Sequence, residues 1–175
     1  MANNPRTSLY LFLTDKLSGL ITRDIVKVVD RWNNQIEKEK TSGATVLPAV
    51  HLQIEDDFEG ASGDFQLQKG YVYVTCHIDI DVNKIDGIGT EDWDIMQEVF
   101  LALHGEYPTS GDDYDFTALE RNTQKEDNDY DGRYHGKMVF ETFLSDCTKG
   151  TKQASDGKTG TIDSLDLTVN RVDEI

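Results

Sequence analysis

Cysteine is scarce, with Cys76 and Cys147 the only two in 175 residues. They form no Cys-x-x-Cys pair, which excludes a disulfide framework and gives no sign of a zinc knuckle or a redox dithiol. Cys76 falls on the apolar side of an alternating segment, where a free thiol behaves as a small hydrophobe. Long apolar runs are missing too. The longest near the N-terminus, Leu9 to Leu13, is far too short for a signal core or a membrane span. Positive charge is in short supply: 17 Lys and Arg stand against 33 Asp and Glu, a net charge of -16. Binding a phosphate backbone or an anionic membrane surface needs clustered cations, so both classes fall away. The partners to expect are proteins, met in a reducing compartment.

Catalytic signatures are absent as well. No serine sits in a G-x-S-x-G elbow, and neither cysteine lies beside a histidine or a helix start. Gly87-Ile88-Gly89 is followed by no Lys-Ser or Lys-Thr. His51, His77, His104 and His135 are scattered along the chain without ligand spacing. No enzyme is expected.

What is present describes one domain, the size for which a single core suffices. Leu9, Phe12, Leu13, Leu17 and Leu20 recur at helical spacing and predict a helix over Ser8–Leu20. Ile25–Trp32 is β-branched and reads as a strand. After a polar run, Leu47-Pro48 opens a second strand in which Val50, Leu52 and Ile54 alternate with His51, Gln53 and Glu55. Glu55 to Gly63 reads as a wide acidic turn. Phe65–Asp81 is the clearest element, with Val72, Val74, Cys76, Ile78 and Ile80 facing one way and Tyr73, Thr75, His77, Asp79 and Asp81 the other. A second helix, capped by Thr90 or Asp92, carries the stripe Trp93, Met96, Val99, Phe100 and Leu103 and stops at His104-Gly105. A short strand over Phe116–Arg121, an acidic turn over Glu126–Gly132 and a strand over Tyr134–Leu144 follow. The fold class expected is α+β: a mainly antiparallel sheet with two helices packed on one face, in the order helix, strand, strand, strand, helix, strand. Residues 1–146 form that domain. Residues 147–175 are a Gly, Ser, Thr and Lys linker and a C-terminal strand, Ile162 to Val169, which docks as an edge or is exchanged with a neighbour.

Few residues in this pattern carry chemistry. Asp127, Asp129 and Asp131, closed by Gly132, copy the opening of a calcium loop. Met138 stands where the bidentate Glu belongs and the flanks are strands, so an acidic β-turn is the first reading and a calcium site the alternative. Asp79 and Asp81 share a strand face with His77, a combination that can imitate a His-carboxylate metal site, although alternating polar residues are what an exposed face carries anyway. Trp93 and Phe100 read as core. Trp32 serves either the core or a partner. Arg121 pairs with Asp127 or Asp129, or reaches the next subunit.

The order of motifs resembles a known family. The segment Asp92–Leu103 ends in Leu-His-Gly and leads to Leu119-Glu120-Arg121, then to Lys125 through Gly132, then to a strand ending Met138-Val139-Phe140-Glu141-Thr142-Phe143. Upstream lie Leu47-Pro48-Ala49-Val50, the Tyr-Val-Tyr-Val-Thr strand and the N-terminal helix. This arrangement resembles the tail-terminator and tail-completion proteins of tailed phages, those of Bacteroidetes-type hosts in particular, over residues 8–146. The resemblance implies a virion protein assembled in the host cytoplasm, working as a ring at the head–tail junction. The ring is a hexamer, or alternatively a dodecamer, through which genomic DNA passes without specific binding. Its partners are copies of itself, a portal or connector, and tail or neck proteins, with no membrane and no cofactor. The long segments 55–69 and 148–161 leave a short-tailed neck ring open beside a long-tailed terminator. Trp32, Arg121, Asp127, Asp129, Leu165, Leu167 and Val169 are the interface residues expected. A monomeric calcium-binding module and a DNA-mimicking module are the alternatives outside that class.

Overall fold

The computed structural model describes residues 4–32, 46–59, 68–81, 91–127 and 133–146. The C-terminal strand and most of the acidic turn, including Asp129 and Asp131, lie outside the described residues. Eight elements follow one another: α1 (Pro5–Thr22), β1 (Val28–Arg31), β2 (Ala49–Glu59), β3 (Gln68–Asp81), α2 (Glu91–Leu103), β4 (Tyr114–Phe116), β5 (Glu120–Asp127) and β6 (Arg133–Asp146).

Helix α1 starts where the sequence chemistry allows it. The Asn4 side chain accepts the Arg6 backbone N–H, and Pro5 occupies a first-turn position that needs no donor. Leu9, Leu13, Leu17 and Leu20 are all buried along one side of it. Each contributes roughly 2 kcal/mol by leaving water. Helix α2 runs antiparallel to α1, and the Arg23–Glu98 and Lys16–Glu106 pairs tie the two along their length. It ends at Gly105, whose φ of +79° is the left-handed conformation that glycine adopts without strain.

The sheet runs β1-β2-β3-β6, with β4 and β5 both on the far side of β6. These last two are one interrupted edge: Tyr114–Phe116 pairs with Leu144–Asp146, and Glu120–Asp127 pairs with His135–Glu141. The break at Thr117–Leu119 is stitched in place. The Thr117 hydroxyl accepts the Phe143 N–H, Leu119 is fully buried, and its N–H and C=O bond to Glu106 and Gly105. The sheet is mixed and not wholly antiparallel, because β1 lies parallel to β2. A parallel neighbour needs a crossover of about a dozen residues or more, and residues 32–48 supply that length.

Both helices cover one face of the sheet. There Val50, Leu52, Val72, Val74, Cys76, Ile78, Met138, Phe140 and Leu144 meet the α1 leucines and Ile95, Met96, Val99 and Leu103 of α2. Gly136 allows this approach, since a Cβ there would stand 3.0 Å from the Met96 sulfur. Burial pushes the Cys76 thiol up to about 12, so it stays protonated.

Two expectations need correction. Trp93 is 57% exposed, because Ile95 and Met96 take the inward positions of α2. The stretch from Glu55 is no turn: β2 continues to Glu59, paired residue by residue with β3.

Candidate functional site

The second face of the sheet, opposite the helices, carries the polar half of each strand's alternation. Strand register lines these residues up in rows. His51 of β2 stands opposite His77 of β3, which stands opposite Lys137 of β6. One row on, Ala49, Asp79 and His135 are level, and the backbone of Asp127 in β5 pairs opposite His135. Three histidines that are far apart in sequence therefore meet around one aspartate. All four side chains are buried, His51 at 4%, His77 at 5%, Asp79 at 2% and His135 at 1% exposure. The expectation of an exposed His77–Asp79 face is overturned. The reason is Trp32, which follows β1 and folds over the face. Its ring stacks on His77 with centroids 3.8 Å apart and planes 6° from parallel, and it lies 6.1 Å from the ring of His51 and 6.0 Å from that of His135. Trp32 is thus a lid over polar residues.

The hydrogen bonds under this lid form a directional chain. Gln53 donates its amide N–H to Glu55 at 2.7 Å, which turns the amide oxygen towards His77 Nε2 at 2.8 Å. His77 Nε2 must therefore carry a proton and donate. His77 is held neutral, its pKa pushed down to about 3 by burial first, then by His135, Lys137 and His51. The other ring nitrogen, Nδ1, lies 3.3 Å from His135 Nε2. His135 Nδ1 in turn donates to Asp79 Oδ1 at 2.6 Å. His51 Nε2 stands 3.7 Å from the other oxygen of Asp79. Asp79 with His135 and His51 thus joins β3, β6 and β2 in one register, and removing a member leaves a buried polar group without its partner. This is a hydrogen-bonded relay, not a ligand shell. Among the described residues no group of three or more His, Cys, Asp or Glu has an arrangement able to hold a metal ion.

A second feature adjoins the first. Strand β1 ends at Arg31, with one further bond from the Trp32 N–H to the Leu52 carbonyl. Strand β2 continues for seven more residues, Gln53–Glu59, along which no described strand pairs on the β1 side. A cavity of about 330 Å³ opens at this step, lined by Arg6, Thr7 and Tyr10 of α1, Arg31 and Trp32, and Leu52, Gln53 and Ile54. Just beyond it Arg6 pairs with Asp56, whose other carboxylate oxygen is buried with no hydrogen-bond partner among the described residues. Trp32 is common to both features.

Elsewhere on the open face Tyr71 meets Phe143 edge-on at 5.3 Å and lies 6.4 Å from Tyr73. Tyr71 is 49% exposed, and on the far surface of the molecule so are Trp93 and Leu101, at 57% and 62%. Arg121 lies over the Phe100 ring at 4.3 Å, and its guanidinium reaches Gln124 at 3.4 Å. No described helix is long and apolar enough to cross a membrane.

No family model and no curated protein matches the chain. Its fold does match a chain in a solved structure described as the "Virion of native gene transfer agent (GTA) particle". The TM-score is 0.57 at 14% sequence identity, over 82% of this chain and 99% of that one.

Proposed function

We propose that this protein is a structural subunit of a tailed-phage-like virion, one that forms a ring at the head–tail junction as a tail-completion or neck component. The observation that carries the reading is the fold shared with almost the whole length of a chain from a gene transfer agent virion. The surface supports it. A two-layer domain whose described helices lie on one sheet face offers different patches on its two sides: Tyr71, Tyr73 and Phe143 on one, and Trp93 and Leu101 on the other. A head-to-tail interface that closes on itself needs two such unlike patches. The charge of -16 supports a lumen that repels phosphate, so that DNA slides through without sticking. The protein acts by assembly and its histidine relay by holding strands together. Neighbours in the virion are further copies, a portal or connector, and tail or neck proteins. In this reading the acidic segment from Asp127 to Gly132 binds no calcium, and no cofactor is required.

Native mass by light scattering, paired with negative-stain images, tests this. The expected result is a single annular species of six or twelve copies. A monodisperse monomer across the micromolar range would refute it.

A further inference from the structure

Resting on the ring reading, we infer that the step at the end of β1 is the receptor for the C-terminal strand, Ile162–Val169, of the neighbouring copy. The edge itself is the first observation. Backbone groups of β2 beyond Leu52 have no described partner strand on that side, and a strand laid there would extend the sheet by ordinary pairing. The adjoining cavity has an aliphatic floor, Leu52 and Ile54, and two guanidiniums, Arg31 and that of Arg6, which also pairs with Asp56. In a chain this acidic, that is an unusual place for an acidic, apolar ligand. Ile162-Asp163-Ser164-Leu165-Asp166-Leu167-Thr168-Val169 fits that description, with Leu165, Leu167 and Val169 on one side of a strand and acids at 163 and 166. The chain that leaves Trp32, residues 33–45, fits it poorly. Its apolar residues are Ile36 and Ala44 alone, too few to cover that floor.

Reach admits the neighbour. The end of β6 is level with the end of β2, since Glu59 pairs with Lys69 and Lys69 with Ser145. A strand added beside β2 in the same molecule would be three strand spacings from β6, about 14 Å. Residues 147–161 can extend to about 50 Å, more than the width of a domain whose radius of gyration is about 15 Å. The connection is long enough to cross one subunit and meet the next.

Cross-linking in the full-length chain tests this, with Cys147→Ser as background. Thr7→Cys places a thiol on the cavity wall, and Leu165→Cys, Leu167→Cys or Val169→Cys, one at a time, places another on the tail. A short bismaleimide should give a ladder of covalent oligomers ending at the ring size, with at least one tail position several-fold above the single-cysteine controls. Internally linked monomers would overturn the inference, because the tail then folds back on its own subunit. No linkage at any position, with circular dichroism unchanged, would also overturn it. Light scattering of the same samples separates the two ideas. Rings without cross-links leave the ring reading standing and remove the tail from the edge, whereas monomers without cross-links remove both.

Discussion

Acid should loosen this fold through His77. In the folded chain its pKa is pushed down to about 3, against the usual value of 6.5. The unfolded chain therefore takes up the proton first. The contribution of a neutral His77 is complete above pH 6.5 and is lost progressively as pH falls towards 3. Linkage between those two values gives a loss of about 2 kcal/mol between pH 7 and pH 5, and about 1 kcal/mol after solvent screening. Carboxylates titrate mostly below that window, with reference values near 4. Urea unfolding followed by tryptophan fluorescence at the two pH values should show the midpoint falling by roughly 0.5–1 M, for a slope of about 2 kcal/mol/M. His77→Gln isolates the cause, because it cannot titrate and still offers an amide to Gln53. The variant should start less stable, having lost the Trp32 stack, and should change little between pH 7 and 5. If wild type and variant lose stability in parallel, the proton goes elsewhere and the relay is misassigned.

Three further outcomes follow from the packing. Asp79→Asn removes the buried carboxylate that accepts from His135 and should cost about 1–3 kcal/mol, measured by denaturant unfolding, with Asp79→Leu/His135→Met recovering much of it. In a Cys147→Ser background Cys76 should resist a thiol reagent until the protein is unfolded, at a rate that tracks denaturant concentration; prompt reaction would mean the core is open. Trp93→Ser should leave stability within about 0.5 kcal/mol, yet reduce the native mass of the assembly, since the side chain is 57% exposed.

The sequence announced elements where one face decides the residue type. The run Val72 to Ile80 alternates without a slip, and α1 spaces its leucines at three and four, so both can be read from periodicity alone. Reading failed where a partner came from far away. Glu55, Asp56 and Asp57 look like a turn, yet Asp56 is clamped by Arg6 fifty residues earlier, and pairing with β3 keeps the segment extended. Trp93 sits close to the α2 stripe, and only the inward turn of Ile95 shows which side it takes. The relay was not legible. Each of its histidines is flanked by apolar residues or glycine, as in Val-His-Leu, Cys-His-Ile and Tyr-His-Gly, but in a strand those neighbours point to the helix face and leave the cover over the histidines unread. Their meeting depends on strand order and register, which no local pattern encodes.

Because Trp32 is both the lid of the histidine relay and a wall of the edge cavity, the two places share a moving part. Anything that seats in the cavity presses on the ring that stacks on His77, and any proton that enters His77 disturbs the ring that shapes the cavity. Two events that compete for one side chain form a thermodynamic square, and the factor by which either alters the other is the same in both directions. The strength of a subunit contact made at this edge would then be readable as a change in the acidity of a buried histidine.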